Sequence, residues 1–134
     1  MRDRVSVRIT RDEAKAFFAH PSQLKASMLQ SPDDLPEGVE YWADGPLCLM
    51  FHPAFWPGVW MVHHAAKPEG WGHLVDPAQR LLRAFWEDHQ PERIIGWTDA
   101  RNRAAIAFAR RVGFREDGRM QLNGHEVLMT GWRL

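Results

Sequence analysis

The sequence predicts an α/β (α+β) fold, a mixed, mostly antiparallel sheet with helices packed on it. Three apolar, aromatic runs, "VEYWA", "PLCLMFH" and "GVWMVHHAA", follow one another across short turns in the first half. Two amphipathic segments, "DPAQRLLRAFWEDH" and "NRAAIAFARRV", then alternate with strand-like runs. A meander gives antiparallel pairs, and strand–helix–strand alternation requires crossovers, so the sheet must be mixed.

The elements follow in order. "VSVRIT" (5–10) alternates and predicts strand β1. "TRDEAKAFFAH" (10–20) opens α1 with Thr10 as N-cap and Glu13 three places on, a capping box. Pro21 ends that helix and "PSQLKASMLQ" (21–30) predicts a short α2, followed by a loop in "SPDDLPEG". The three apolar runs predict β2 (39–43), β3 (46–52) and β4 (58–66), joined by "DGP" and "PAFWPG". In α3 (76–89), Asp76 is the expected N-cap, Pro77 sits at the first helical position and Gln79 completes the box. Leu81, Leu82, Phe85 and Trp86 form its apolar stripe. "RIIGWT" predicts β5 (93–98). The next helix, α4 (102–112), stops at Gly113, placed as a left-handed C-cap. Phe114 opens β6, and "HEVLMTGWRL" (125–134) predicts β7.

Composition narrows the function classes. The 134 residues suffice for one domain, and no repeat or linker divides them. Seventeen basic residues balance seventeen acidic ones, which argues against a general nucleic-acid or membrane-surface binder. The single cysteine, Cys48, excludes an intramolecular disulfide and reads as a small core residue. No apolar run approaches the roughly 18 residues of a membrane span, and no signal core opens the chain. A soluble, cytoplasmic protein is expected.

Candidate chemistry concentrates in three places. His63 and His64 are adjacent on a predicted strand, so alternation sends them to opposite faces and makes them a poor two-ligand metal pair. His63 shares its face with Met61 and is the first choice for a base, since a histidine pKa near neutrality suits that role; a satisfied, half-buried strand histidine is the alternative. "PEGWGH" offers Gly70 and Gly72 for close backbone approach to a ligand, or an ordinary surface turn. Asn102 heads the Ala-rich α4, either as a cap or as a ligand group. His52, His63, His64 and His73 match no recognised zinc spacing, and no metal is expected. Trp56 and Trp71 are the tryptophans expected to be exposed.

The order of elements, with "NRAAIAFARRVGF" near the end, resembles the GNAT superfamily of acetyl-CoA-dependent N-acetyltransferases. Asn102, Ala105, Phe108, Gly113 and Phe114 match the family pattern in order and spacing. The resemblance covers most of the chain from Val39 to Leu134. "PEGWG" and "NRAAI" look like divergent members carried by tailed phages and prophages. It implies a mostly antiparallel sheet with helices on both faces, strands that part after β4, and acetyl transfer to a small-molecule or protein amine. His63 would be the catalytic base. His64, Gly70, Trp71, Gly72, His73, Ala78, Asn102 and Arg103 would hold acetyl-CoA, with Lys67 and Arg80 as further cations. An exposed edge strand can pair across a homodimer.

Two departures stand against the family pattern. Its pyrophosphate loop aligns on His73, Asp76 and Ala78, of which only Ala78 conforms. Its general-acid tyrosine aligns on Ala109, leaving water, a histidine or Cys48 for that task. The rival expectation is therefore a non-catalytic GNAT-fold binding or structural module with a degraded clamp.

Overall fold

The computed structural model describes residues 6–134. The elements are β1 (Val7–Ile9), α1 (Arg11–Ala14), α2 (Pro21–Ala26), β2 (Glu40–Asp44), β3 (Leu47–Pro53), β4 (Val59–Ala66), α3 (Val75–His89), β5 (Arg93–Asp99), α4 (Arg103–Val112), β6 (Arg115–Leu122) and β7 (His125–Trp132). All eleven stand in the order the sequence predicts; Val5, expected to open β1, lies outside the described residues. The Thr10–Glu13 capping box forms, with the Glu13 N–H donating to Thr10 Oγ1 at 3.1 Å.

The strands make one sheet in the order β1-β2-β3-β4-β5-β7-β6. Among the described residues only β4 and β5 pair in parallel; every other strand pair is antiparallel. The α4 crossover does not bring β6 beside β5. Asn123 and Gly124, at φ 49° and 77°, turn the chain sharply, and β7 returns between the two. Two successive positive φ values are what a tight hairpin turn needs to match strand twist.

Alternation divides the core in two. On one face Leu47, Leu49, Phe51, Ile94 and Trp132 pack against Ala78, Leu81, Leu82 and Phe85 of α3. Phe51 and Phe85 stack with centroids 3.8 Å apart. On the other face Tyr41, Ala43, Cys48 and Ala65 meet Ala14, Phe17, Phe18 and Leu35. Cys48 is fully buried, as expected of a core residue.

One ion pair fixes α3 on the sheet. Asp44, at the end of β2, is 3% exposed. It accepts from Arg80 Nε at 2.8 Å, Arg80 Nη2 at 3.0 Å and Ser6 Oγ at 2.8 Å. The charge is tolerated because a two-pronged guanidinium replaces its water. Arg80→Ala leaves that carboxylate with one neutral donor. Urea unfolding is expected to show a loss of about 3 kcal/mol with an unchanged m-value, and Asp44→Ala combined with it to cost less than the two changes summed.

Candidate functional site

The ladder between β4 and β5 has three rungs, Val59–Arg93, Trp60–Ile94 and Met61–Ile95. Beyond them the strands part. The pleat of β4 is fixed by its pairing with β3: the Ala54 N–H donates to Val59 O at 3.0 Å and the Lys67 N–H to Pro46 O at 2.9 Å. Odd-numbered residues of β4 therefore exchange hydrogen bonds with β3, and the N–H groups of Val62, His64 and Ala66 point toward β5. Gln23 Oε1 accepts from the Ala66 N–H at 2.9 Å. The His64 N–H faces the gap beyond the last rung.

Since β4 and β5 are parallel, the helices that follow them both begin at the same end of the sheet, at the mouth of this gap. Their two starts differ. At α4, Asn102 Oδ1 accepts from the Ala105 N–H at 3.1 Å, while the Asn102 N–H donates to Asp99 O at 2.9 Å. Asn102 is thus a working N-cap, its Nδ2 without a hydrogen-bond partner among the described residues. At α3 the expected cap is absent. Asp76 is not the N-cap: the helix begins at Val75, with Leu74 at the cap position and no side chain bonded there. The Ala78 N–H already donates to Leu74 O at 3.0 Å, so Asp76 lies inside the first turn, and among the described residues no side chain caps the helix start. Gln79, expected to complete the box, instead donates to the Arg111 and Val112 carbonyls of α4. Among the described residues nothing accepts from the N–H groups of Leu74, Val75 and Asp76.

The other residues singled out in the sequence divide similarly. Ala78 is 2% exposed and faces the core, with its N–H spent on Leu74, so it offers a ligand nothing. Gly70 is buried, and a Cβ there would overlap the Pro46 ring; its bareness serves packing, not ligand approach. Gly72 has φ +89° and open space where a Cβ would lie. Trp71 is exposed and meets the His20 ring edge-on at 4.9 Å, tying the loop to the start of α2. Trp56 is also exposed, at the β3–β4 turn. His73 is exposed at the loop's end. Arg80 is committed to Asp44, and Lys67 lies 4.6 Å over the Phe17 ring. Arg101 is held by Asp99, whereas exposed Arg103 makes no ion pair with the described residues.

His63 and His64 do face opposite ways. His64 pairs with Leu49 and lies on the α3–α4 face, its ring 5.1 Å from Phe108. It keeps an exposed outer edge while protein surrounds it elsewhere. Desolvation lowers its pKa below the ordinary histidine value. His63 lies on the other face with Met61, opposite Met50. Its Nε2 is 3.0 Å from Nε2 of His52. Burial first, then the charges of His52 and His64, lower its pKa from 6.5 to about 4 rather than leaving it near neutrality. Leu74, Gln23 and His52 thus complete the site. Only His52, at a strand end and in register with Met61, left a trace in the sequence; an uncapped leucine and a distant glutamine leave none.

The His63 shift has a consequence for stability. The unfolded chain binds this proton near pH 6.5 and the folded one near 4, so acid between those values favours unfolding. Stability from this residue is present above pH 6.5 and is lost on descent toward 4, by on the order of 2–3 kcal/mol. His63→Gln is expected to flatten that part of the stability–pH curve in urea titrations between pH 7 and 4.5.

No family model and no curated protein sequence matches the chain. Solved structures do. A GNAT-family acetyltransferase from Bacillus anthracis superposes with a TM-score of 0.73 at 10% identity, over 98% of this chain and 96% of that one. A variant of spermidine N-acetyltransferase SpeG from Vibrio cholerae gives 0.71 at 13%, over 96% and 94%. RimL, a ribosomal L7/L12 alpha-N-protein acetyltransferase solved with coenzyme A, gives 0.56 at 21%, over 70% and 60%. With the strand order, the parted parallel pair and the two helices at its mouth, these likenesses identify the fold as that of the GNAT superfamily.

Proposed function

We propose that the protein transfers an acetyl group from acetyl-CoA to a primary amine. The observation that carries this reading is the gap beyond Met61–Ile95, with an uncapped helix start at its mouth. An extended acyl-pantetheine arm could lie along β4 where β5 has withdrawn. The His64 N–H would then meet the thioester carbonyl and stabilise the charge that develops on it. The free N–H groups of Leu74, Val75 and Asp76 suit a diphosphate, because a helix start combines aligned donors with the positive end of the dipole. His73, Arg103 and the free Nδ2 of Asn102 are the side chains left available beside them. The open backbone at Gly72 fits the same use.

His63 stands across the strand, on the α1–α2 face, neutral at physiological pH and therefore in the form a base requires. The departing thiolate finds no acid at Ala109. Cys48 cannot serve: it is sealed in the core, and burial pushes its thiol up to about 12. Tyr41 donates to Pro36 O at 2.6 Å and is likewise pushed up to about 12 by burial. A thiol with a pKa of about 8.5 leaves without full protonation at neutral pH, so water or the histidine suffices. The rival, a non-catalytic module of the same fold, draws on Asp76, whose charge opposes a diphosphate by about 0.3–1 kcal/mol.

Calorimetric titration with acetyl-CoA, CoA and desulfo-CoA tests the reading. Micromolar binding is expected, tightened about two- to fivefold by Asp76→Asn and weakened by Arg103→Glu. No heat up to millimolar acetyl-CoA would leave the fold standing and refute the activity. Given binding, spermidine and an N-terminal peptide, the amine classes named for the structural neighbours, open the acceptor screen.

A further inference from the structure

His52 and His63 are brought together by the β3–β4 register, each diagonal to the other on one face of the hairpin, with Met50 and Met61 completing the square. Their Nε2 atoms are 3.0 Å apart, their planes differ by 15°, and their centroids are separated by 5.1 Å. So short a nitrogen–nitrogen contact at that centroid spacing sets the rings end to end rather than one over the other. That is the geometry of an N–H···N hydrogen bond.

The direction of the bond follows from its neighbour. His52 Nδ1 lies 3.0 Å from Pro53 O, and a carbonyl only accepts, so Nδ1 carries the proton. Neutral His52 therefore has a lone pair on Nε2. Its partner must donate, which places the proton of His63 on Nε2 and leaves His63 Nδ1 bare. Among the described residues nothing bonds to that Nδ1, and it is not sealed from solvent.

We propose that His52 is a positioning residue that holds His63 in the Nε2–H form, with Nδ1 as the open base. Its use in catalysis rests on the acetyl-transfer reading; the tautomers do not. In that reading the amine gives its proton to His63 Nδ1 as its nitrogen bonds to the acetyl carbon. The new charge is shared through the Nε2–H···Nε2 bond. The same Nδ1 then returns the proton to the departing thiolate or to water, so the pair ends as it began.

The ionisable groups bearing on His63 are His52 and, through the strand, His64. On the same side of the sheet, Arg93 is tied to Asp117 and Asp99 to Arg101, while Lys15, in the turn after α1, is tied to Asp12 and Asp33.

Long-range proton–nitrogen NMR on the ¹⁵N-labelled full chain tests this without cofactor or acceptor. At pH 7 we expect His52 as Nδ1–H, His63 as Nε2–H, and a coupling between the two Nε2 atoms across the hydrogen bond. His52→Leu should abolish the coupling and let His63 populate the Nδ1–H tautomer as well. His52→Gln, which accepts but holds no proton, should keep His63 as Nε2–H. His52 found as Nε2–H, or His63 found as Nδ1–H, in the wild-type protein would overturn the proposal. Failure of acetyl-CoA to bind would refute the acetyl-transfer reading and leave this result untouched.

Discussion

The parallel contact between β4 and β5 ends after Met61–Ile95, and the candidate site is a consequence of where it ends. Up to that rung the sheet is continuous, and Phe51, Phe85 and Ile94 fill the space beneath it. Past it, β4 stays bound to β3 as far as Ala66, while β5 turns toward β7, with which it pairs from Ile94 to Asp99. Each strand remains satisfied on one edge and opens on the other. A gap of this kind costs little in an antiparallel surround, because only a few backbone groups are left facing one another across it.

The starts of α3 and α4 show how electrostatics divides work between two similar elements. Asn102 spends its carbonyl oxygen on α4, and Asp99 and Arg101 neutralise each other just before it. At α3 no side chain of the described residues occupies the free N–H groups, because the chain enters the helix at Val75 before Asp76 can cap it. The carboxylate of Asp76 still adds negative charge to the first turn. Donors are therefore available, in a setting less positive than a bare helix end. Arg80, one turn along, relieves little of this, being held by Asp44.

Strand alternation gives β4 two chemistries within two residues. His64 belongs to the α3–α4 face beside Phe108, where its backbone N–H and ring border the gap. His63 belongs to the α1–α2 face, partnered by His52 and flanked by methionines. A thioether surround contributes no charge, so the protonation of His63 is governed by burial first and then by the charges of His52 and His64.

Much of the fold was legible in the chain. Periodicity and turn residues locate all eleven elements, and the Thr10–Glu13 box and the Gly113 cap form as local chemistry dictates, because both depend on residues within a few positions of each other. The opposite facing of His63 and His64 was equally legible, since a pleat has a period of two. What lay beyond the sequence were decisions made by partners distant along it. Pro46 makes Gly70 a packing glycine, Asp44 removes Arg80 from the list of free cations, and the core claims Ala78. Asn102 takes the cap reading at α4 while Asp76 loses its expected one at α3, because a cap is set by where the chain enters the helix, which packing fixes to within a residue. The sequence determined which groups the protein carries and on which face each strand residue lies; the tertiary structure decided which of those groups remained free, because only folding pairs residues that are far apart in the chain.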